Sequence, residues 1–161
     1  MPQHIEVCLT KRSAVAVARL LEDEAPETVE AVWNALPLEG PAFHAKYANN
    51  EVYTLLTPFV PTEPALENAT IFPLPGDLMY FQIPPAMPLP PALREQCRRH
   101  GRLIDLAVFY GRNNYLLSPI GHLPGTVFAT IEEGLAEFAD ACNDVWVSGS
   151  AGEQLTFRRR D

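Results

Sequence analysis

The sequence is poor in cysteine, and its cysteines do not form a recognisable set. Cys8, Cys97 and Cys142 are the only three in 161 residues, and no C-x-x-C pair occurs. An odd number of widely separated cysteines argues against a disulfide framework and against a zinc site. We therefore expect three buried free thiols, and neither a metal nor any other cofactor.

A long hydrophobic run is also missing. No uncharged apolar segment approaches the roughly 18 residues that a helical membrane span needs. Residues 1–13 carry a charge within their apolar stretch and lack the small-residue pattern that marks a signal-peptide cleavage site. These absences predict a cytoplasmic protein without a membrane partner.

Positive charge is scarce as well. The chain has 12 Lys and Arg residues against 20 Asp and Glu residues, which gives a formal net charge of -8. Such a surface repels polyanions, so nucleic acids and anionic membranes are not expected as partners. Arginines cluster within residues 94–102 and 158–160, and we interpret both clusters as solvated faces. The alternative is that one of them contacts an anionic ligand or an anionic partner.

Hydrophobic residues and proline, in contrast, are abundant. The chain is 47% hydrophobic and 20% charged, which is typical of a globular protein, and its length fits a single domain over residues 1–161. Ten of the 16 prolines fall within residues 58–91. Because proline lacks a backbone donor, we expect this segment to wrap over the surface as a loop. Alternatively, it presents a peptide-like surface to a partner.

The spacing of apolar residues predicts about eight strands. Alternating or continuous apolar stretches of four to eight residues, bounded by turn residues, are typical of half-buried and fully buried strands. The predicted strands are residues 4–10, 14–21, 42–47, 51–57, 78–83, 103–111, 144–149 and 153–159. The last two are expected to form a closing hairpin.

Two stretches predict the main helices. Val29, Val32 and Leu36 recur at helical spacing within residues 26–36, with Pro26 near the first turn. Thr130-x-x-Glu133 has the pattern of a capping box and predicts that a second amphipathic helix begins there. A shorter helix is predicted to end at Gly101. Because strands and helices do not alternate as βαβ units, we predict a mainly β fold, a mostly antiparallel barrel with two main helices.

The segment "HAKY" brings a titratable ring and a cation close together. His44 and Lys46 are two residues apart in a predicted strand, which is followed by a turn at Asn49-Asn50. Because side chains on a strand repeat every two residues, both are expected on one face. Alternatively, both side chains lie on the solvent-exposed face of a hairpin and have no role in binding.

Four quoted stretches carry a resemblance to a known family. The order of "APETVEAVWNALPLEG", "HAKY", "ENATIFPLPGDLMYF" and "GTVFATIEEGLAEFADACNDVW" resembles a bacterial cyclophilin-like family of unknown function. The resemblance covers most of the chain. It implies a closed β-barrel capped by helices, the cyclophilin-like fold, and it implies little about chemistry because a shared fold does not transfer a site.

We predict a cleft at one end of the barrel that binds a small polar or peptide-like ligand. The candidate ligand-binding residues are His44, Lys46, Tyr53, Tyr110, Arg112, Asn114 and His122. Cations pair with a carboxylate, amide and hydroxyl groups add directed hydrogen bonds, and apolar walls exclude water. His44 and Lys46 are also the candidate catalytic residues, although whether any reaction is catalysed is left open.

Two other functions stay open at this point. One is an enzyme of amide-bond chemistry or prolyl isomerisation; however, Ala45 follows Phe43-His44 where cyclophilins place an arginine, and Lys46 is not an equivalent replacement. The other is a structural or interaction subunit of a homo-oligomer that uses the proline-rich segment 58–91 as its contact surface.

Overall fold

The computed structural model describes the whole chain, Met1–Asp161. Its strands are β1 (His4–Leu9), β2 (Ala14–Leu20), β3 (Leu38–Pro41), β4 (Phe43–His44), β5 (Glu51–Leu56), β6 (Ala69–Thr70), β7 (Asp77–Ile83), β8 (Leu103–Phe109), β9 (Leu117–Ser118), β10 (Gly121–His122), β11 (Gly125–Glu133) and β12 (Gln154–Arg159). Its helices are α1 (Pro26–Ala35), α2 (Pro91–His100) and α3 (Leu135–Ser148). The predicted mainly β fold is confirmed.

Ten strands form one antiparallel sheet that is open. The strand order is β3-β12-β1-β2-β11-β7-β8-β5-β4, with β6 paired to β11 beside this path. β3 pairs with β12 and β4 pairs with β5, and no ladder joins β3 to β4. The predicted closed barrel is therefore not supported. β4 has only two residues, and Pro41 at the end of β3 has no N–H to donate, so the two edges offer few backbone groups for closure.

The sheet has apolar side chains on both faces. β8 is buried at every residue from Leu103 to Phe109. Its even-numbered residues, such as Leu106, join the larger core, which α1 and α3 cover with Val32 and Phe138. Its odd-numbered residues, such as Ala107, join a smaller core that includes Cys97 of α2. A strand that is covered on both sides explains why the LIDLAVF stretch is almost continuously apolar.

Two predicted elements near the C-terminus are wrong. Thr130 and Glu133 lie in β11, so they do not form a capping box, and α3 begins only after Gly134, which has a φ of 79°. Residues 144–149 do not form a strand, because α3 continues to Ser148. Phe138, Cys142 and Val145 are its buried residues, and their helical spacing prevails over the local alternation around Val145.

The proline-rich segment 58–91 is mostly irregular and contains the short β6 and all of β7, which corresponds to the strand predicted at 78–83. None of the three helices has the length and apolar character required to cross a membrane.

Candidate functional site

His44 and Lys46 lie where the chain leaves the sheet. β4 ends at His44, which is paired with Val52 of β5. Ala45 N donates to the Glu51 carbonyl at 2.9 Å, and this bond closes a loop in which Asn49 has a φ of 78°. Lys46 therefore lies in a loop and not on the predicted strand 42–47.

A groove of about 330 Å³ opens beside this loop. We call it the polar groove. It is lined by His44, Ala45, Lys46, Tyr47, Asn49, Asn50, Tyr110, Asn143 and Trp146. His44 and Lys46 thus face one space even though only His44 is in a strand.

His44 and Tyr110 form a hydrogen-bonded pair in the polar groove. His44 Nδ1 lies 2.9 Å from the Ala45 carbonyl, and because a carbonyl only accepts, Nδ1 carries the proton. Nε2 then accepts from the Tyr110 hydroxyl at 2.6 Å. Burial lowers the pKa of His44 below its ordinary value, and the bond to Ala45 partly opposes this change. Burial, with a smaller effect of the Cys142 thiolate charge, raises the pKa of Tyr110 to about 12. Both groups are therefore neutral near pH 7.

An exposed indole forms one wall of the polar groove. Trp146 of α3 is 63% exposed, and its ring centroid lies 5.1 Å from that of His44. An exposed tryptophan next to a histidine offers a flat surface on which a planar ligand can stack. Trp146 is not among the site residues predicted from the sequence, where residues 144–149 are expected to form a strand. It follows the buried Cys142 by four residues, and this helical spacing places it beside the buried face of α3, at the wall of the groove.

Lys46 is a cation without a partner in the protein. Its side chain is exposed, and its ammonium group makes neither a hydrogen bond nor an ion pair. Lys46, Ala45 and Tyr47 line a second cavity as well as the polar groove. The two cavities therefore adjoin at this loop.

The other predicted ligand-binding residues lie elsewhere. Asn114 is buried, and its amide donates to the carbonyls of Pro73 and Gly111 while its Oδ1 accepts from the Asn50 backbone at 3.0 Å. Asn114 thus holds the loop that borders the groove without lining it. Arg112 is exposed, and its backbone carbonyl accepts a hydrogen bond from Asn50 Nδ2 at 2.9 Å. Arg112 lines neither cavity.

His122 and Tyr53 are also separate from the polar groove. His122 is exposed on β10, and its Nε2 lies 2.6 Å from the hydroxyl of Tyr115, away from both cavities. Tyr53 lines the second cavity. The structure thus brings together His44, Lys46 and Tyr110 in the polar groove, and Lys46 also shares the second cavity with Tyr53. Arg112, Asn114 and His122 line neither cavity.

The second cavity is small, apolar and bordered by two buried carboxyl groups. We call it the carboxyl pocket. Its volume is about 110 Å³, and 12 of its 17 lining residues are hydrophobic, including Phe81, Met87 and Leu116. Glu51 and Asp105 also line it and are only 6% and 7% exposed.

Burial raises the pKa of both carboxyl groups. The pKa of Glu51 is about 8, and that of Asp105 lies well above its usual range, first through burial and then through the negative charge of Glu51. Burial together with these two charges raises the pKa of Tyr53. Perturbed pKa values of this kind are enriched at functional sites.

Sequence reasoning missed this acidic pair. One feature of the sequence does indicate it: Asp105 interrupts the otherwise apolar stretch LIDLAVF. Burial of a carboxylate is costly, so an aspartate in a buried strand indicates a special environment. No group of three or more His, Cys, Asp or Glu side chains is placed to hold a metal ion. The expected absence of cofactors stays a prediction.

A family model covers nearly the whole chain. The model described as "Protein of unknown function (DUF3830)" matches residues 7–157. The chain belongs to this DUF3830 family. Among curated proteins, none matches the DUF3830 chain in sequence.

Two solved structures share the fold of this DUF3830 chain. The first, "Structure of McbB in complex with tryptophan", is 21% identical with a TM-score of 0.65; the match covers 97% of this chain and 44% of McbB. The chain thus spans less than half the length of that neighbour. The second is a hypothetical protein, AF2241, from Archaeoglobus fulgidus, at 18% identity, a TM-score of 0.53, and coverage of 99% of this chain and 95% of that one. At these identities the likeness concerns the fold alone.

Proposed function

We propose that this protein binds a small organic molecule that carries an anionic group and a planar part, and that it does so in the polar groove. The observation that carries the proposal is the unpaired ammonium of Lys46, placed in one groove with the His44–Tyr110 pair and the exposed ring of Trp146. The ligand class is a refinement of the small polar ligand that the sequence predicts.

The groove offers a different contact to each part of such a ligand. Lys46 pairs with the anionic group as a point charge. Trp146 and His44 supply the flat surface, and the amide of Asn143 adds hydrogen bonds at the wall. The volume of about 330 Å³ lies at the lower end of the range for small-molecule pockets. A ligand of metabolite size therefore fits.

The fold neighbour McbB is compatible with this ligand class. Its structure was solved in complex with tryptophan, a molecule with a planar ring and a carboxylate. The likeness supports the choice of tryptophan as one test compound. The relation to cyclophilin-like proteins, a bacterial source and a cytoplasmic location stay predictions.

A thermal-shift comparison tests the proposal. Phenylacetate is the probe, phenylacetamide is its neutral counterpart, and tryptophan is a further candidate. A ligand at about 100 times its dissociation constant stabilises by about 2.7 kcal/mol, which for this size corresponds to about 5–10 °C. We expect phenylacetate to stabilise the wild-type protein and the Lys11→Met control, and to lose this effect in Lys46→Met. Equal shifts with the acid and the amide would contradict the assigned role of Lys46.

A second candidate function is acid–base catalysis by His44. The observation in its favour is that His44 is neutral with Nε2 bonded to the Tyr110 hydroxyl, so the ring can accept a proton in the groove. Prolyl isomerisation transfers no proton and relies on a donor directed at the prolyl nitrogen, and the groove has no lining arginine for that task. Amide hydrolysis is therefore the chemistry to assay first, with phenylacetamide as the substrate. Its rate should fall at least tenfold in His44→Gln; an unchanged rate would remove this candidate.

A further inference from the structure

The carboxyl pocket has a polar group that nothing in the protein satisfies. Asp105 Oδ1 is buried and has no hydrogen-bond partner, although Asp105 is only 7% exposed. Buried polar atoms in folded proteins are nearly always paired, and a carboxyl oxygen left alone is costly. An unsatisfied buried oxygen on a residue that lines a cavity needs a physical explanation, and a ligand group that supplies the partner is one such explanation.

Strand register places both carboxyl groups on the same side of the sheet. Glu51, Tyr53 and Leu55 alternate onto one face of β5, and Leu55 pairs with Asp105 of β8. Between the two acids, Tyr53 is paired with Ala107, whose small side chain leaves room beside the tyrosine ring. The register therefore directs two acidic groups toward one apolar space.

No cation of the protein compensates these acids. Neither Glu51 nor Asp105 takes part in an ion pair. The titratable or charged groups that line the pocket are Glu51 and Tyr53 from β5, Asp105 from β8, and Lys46 and Tyr47 from the loop before β5. Lys46 is exposed and unpaired, and the contributions from β7 and from residues 87–89 are apolar apart from backbone. The acids thus lack the partner that buried charges require.

We propose that the carboxyl pocket binds a small organic cation, a protonated amine with a short apolar body. The ammonium group donates to Asp105 Oδ1 and is balanced by the carboxylate charge, while the hydrocarbon part contacts Phe81, Met87 and Leu116. An apolar cavity of about 150 Å³ holds benzene, so a pocket of about 110 Å³ fits a molecule of roughly five non-hydrogen atoms. This site is distinct from the polar groove, which it adjoins at Lys46.

Binding of the amine is linked to proton release. When an ammonium ion enters, one carboxyl O–H bond breaks, the proton goes to solvent, and the carboxylate formed pairs with the cation. The carboxyl groups hold their protons more strongly than usual without the ligand because burial disfavours their charge. Binding is therefore stronger at pH 8.5 than at pH 6.

The test uses n-butylamine and its uncharged isostere 1-butanol as probes. Titration calorimetry at pH 8.5 is expected to give a dissociation constant at least about tenfold lower for the amine than for the alcohol, equivalent to about 1.4 kcal/mol. In Asp105→Asn, and to a lesser extent in Glu51→Gln, this advantage of the amine should disappear. At pH 6 the wild-type affinity for the amine should be at least about tenfold lower, since protonated carboxyl groups no longer attract the cation.

Two control variants separate this proposal from the polar groove and from general damage. Asp77→Asn changes a half-buried aspartate outside the pocket and should leave amine binding intact. His44→Ala should also leave it intact, whatever its effect on phenylacetate. Thermal melts establish that each variant is folded. Equal affinity for amine and alcohol, absence of saturable amine binding, or an amine advantage that persists in Asp105→Asn would each overturn the proposal.

Discussion

Two glutamates of this protein are almost fully buried, and their surroundings are opposite. Glu153 accepts hydrogen bonds from the backbone N–H groups of Lys11 and Gln154 and pairs with Arg12 at 2.9 Å. Glu51 has no such partner and lines the carboxyl pocket. A buried carboxylate stabilises a fold only where its charge is balanced. Replacement of glutamate by glutamine should therefore raise the free energy of unfolding at Glu51 and lower it at Glu153.

We predict that Glu51→Gln stabilises the protein at slightly alkaline pH. The pKa of Glu51 is raised by burial from 4.5 to about 8, so between these values the unfolded chain has released a proton that the folded chain retains. Stability is therefore lost as pH rises through this window, by at most about 1.4 kcal/mol per pH unit. Urea unfolding should show the variant to be more stable than wild type by roughly 2 kcal/mol at pH 8, with little difference at pH 4.5.

Glu153→Gln is the matched comparison. It leaves Arg12 without its buried partner and should destabilise by roughly 3 kcal/mol at pH 7. If Glu51→Gln also destabilised the protein at pH 8, the description of Glu51 as an uncompensated buried acid would be wrong.

At the scale of elements, the junction between β11 and α3 determines where Trp146 lies. Gly134 connects them with a φ of 79°, and a Cβ atom there would lie 2.8 Å from the Val15 carbonyl oxygen. The strand can continue to Glu133 and the helix can start at Leu135 because this residue is glycine. The helix then carries Trp146 to a position beside His44.

Gly134→Ala should therefore destabilise the protein more than Gly101→Ala. Gly101 has a nearly equal φ of 78°, but a Cβ atom there meets nothing within 4 Å. Both variants have the strain of a left-handed alanine, about 1–2 kcal/mol, and Gly134→Ala adds a contact with backbone that cannot move freely. Chemical denaturation should give a difference of at least about 1 kcal/mol between them. If the two variants lost the same free energy of unfolding, the Val15 backbone in β2 would have to shift to accommodate the added methyl group.

The same part of the chain shows why local sequence patterns can predict the wrong element. Thr130-x-x-Glu133 has the spacing of a capping box, but the pairing of Thr130 with Arg19 and with Asp77 keeps it in the sheet. Val145 and Val147 alternate as in a strand, whereas packing of Val145 with Phe138 on the larger core requires a helix. Tertiary contacts decided both cases, and they are not encoded within a window of a few residues.

At the scale of the whole molecule, the class of fold was predictable and its closure was not. Alternation of apolar residues identifies β1, and short apolar runs bounded by turn residues indicate β5, β7 and β12. Whether β3 and β4 pair with each other depends on how ten strands twist together, which no single strand specifies. The proximity of His44 and Lys46 was predictable, and Tyr110 was expected in the same cleft. The position of Trp146 beside His44 and of the two acids beside Lys46 depends on strand order and helix packing, which short sequence patterns do not specify.

The surface of the whole molecule also bears on assembly. Phe72 and Leu74 in the proline-rich segment are 61% and 67% exposed, and the Phe72 ring stacks on that of Tyr115 with centroids 5.3 Å apart. Exposed apolar clusters of this kind often mark contact surfaces. We expect the protein to form a homo-oligomer through this cluster.

Light scattering after size exclusion checks this expectation. The wild-type protein should have a mass above the 17.9 kDa of one chain, and the Phe72→Ser/Leu74→Ser variant should shift to that value. Val147→Ser, an equally exposed position on α3, is the control. A wild-type protein that stays at 17.9 kDa at micromolar concentration would contradict the expectation.

The measurement that tests the proposed function most directly is a phenylacetate titration followed by Trp146 fluorescence. Trp33→Phe removes the other of the two tryptophans and leaves Trp146 as the reporter in the polar groove. We predict a saturable change in its emission, with a dissociation constant at least about tenfold higher once Lys46→Met is added, because one charge-assisted contact contributes about 1.4 kcal/mol or more. A titration without saturation, or one that Lys46→Met leaves unchanged, would contradict ligand binding in this groove.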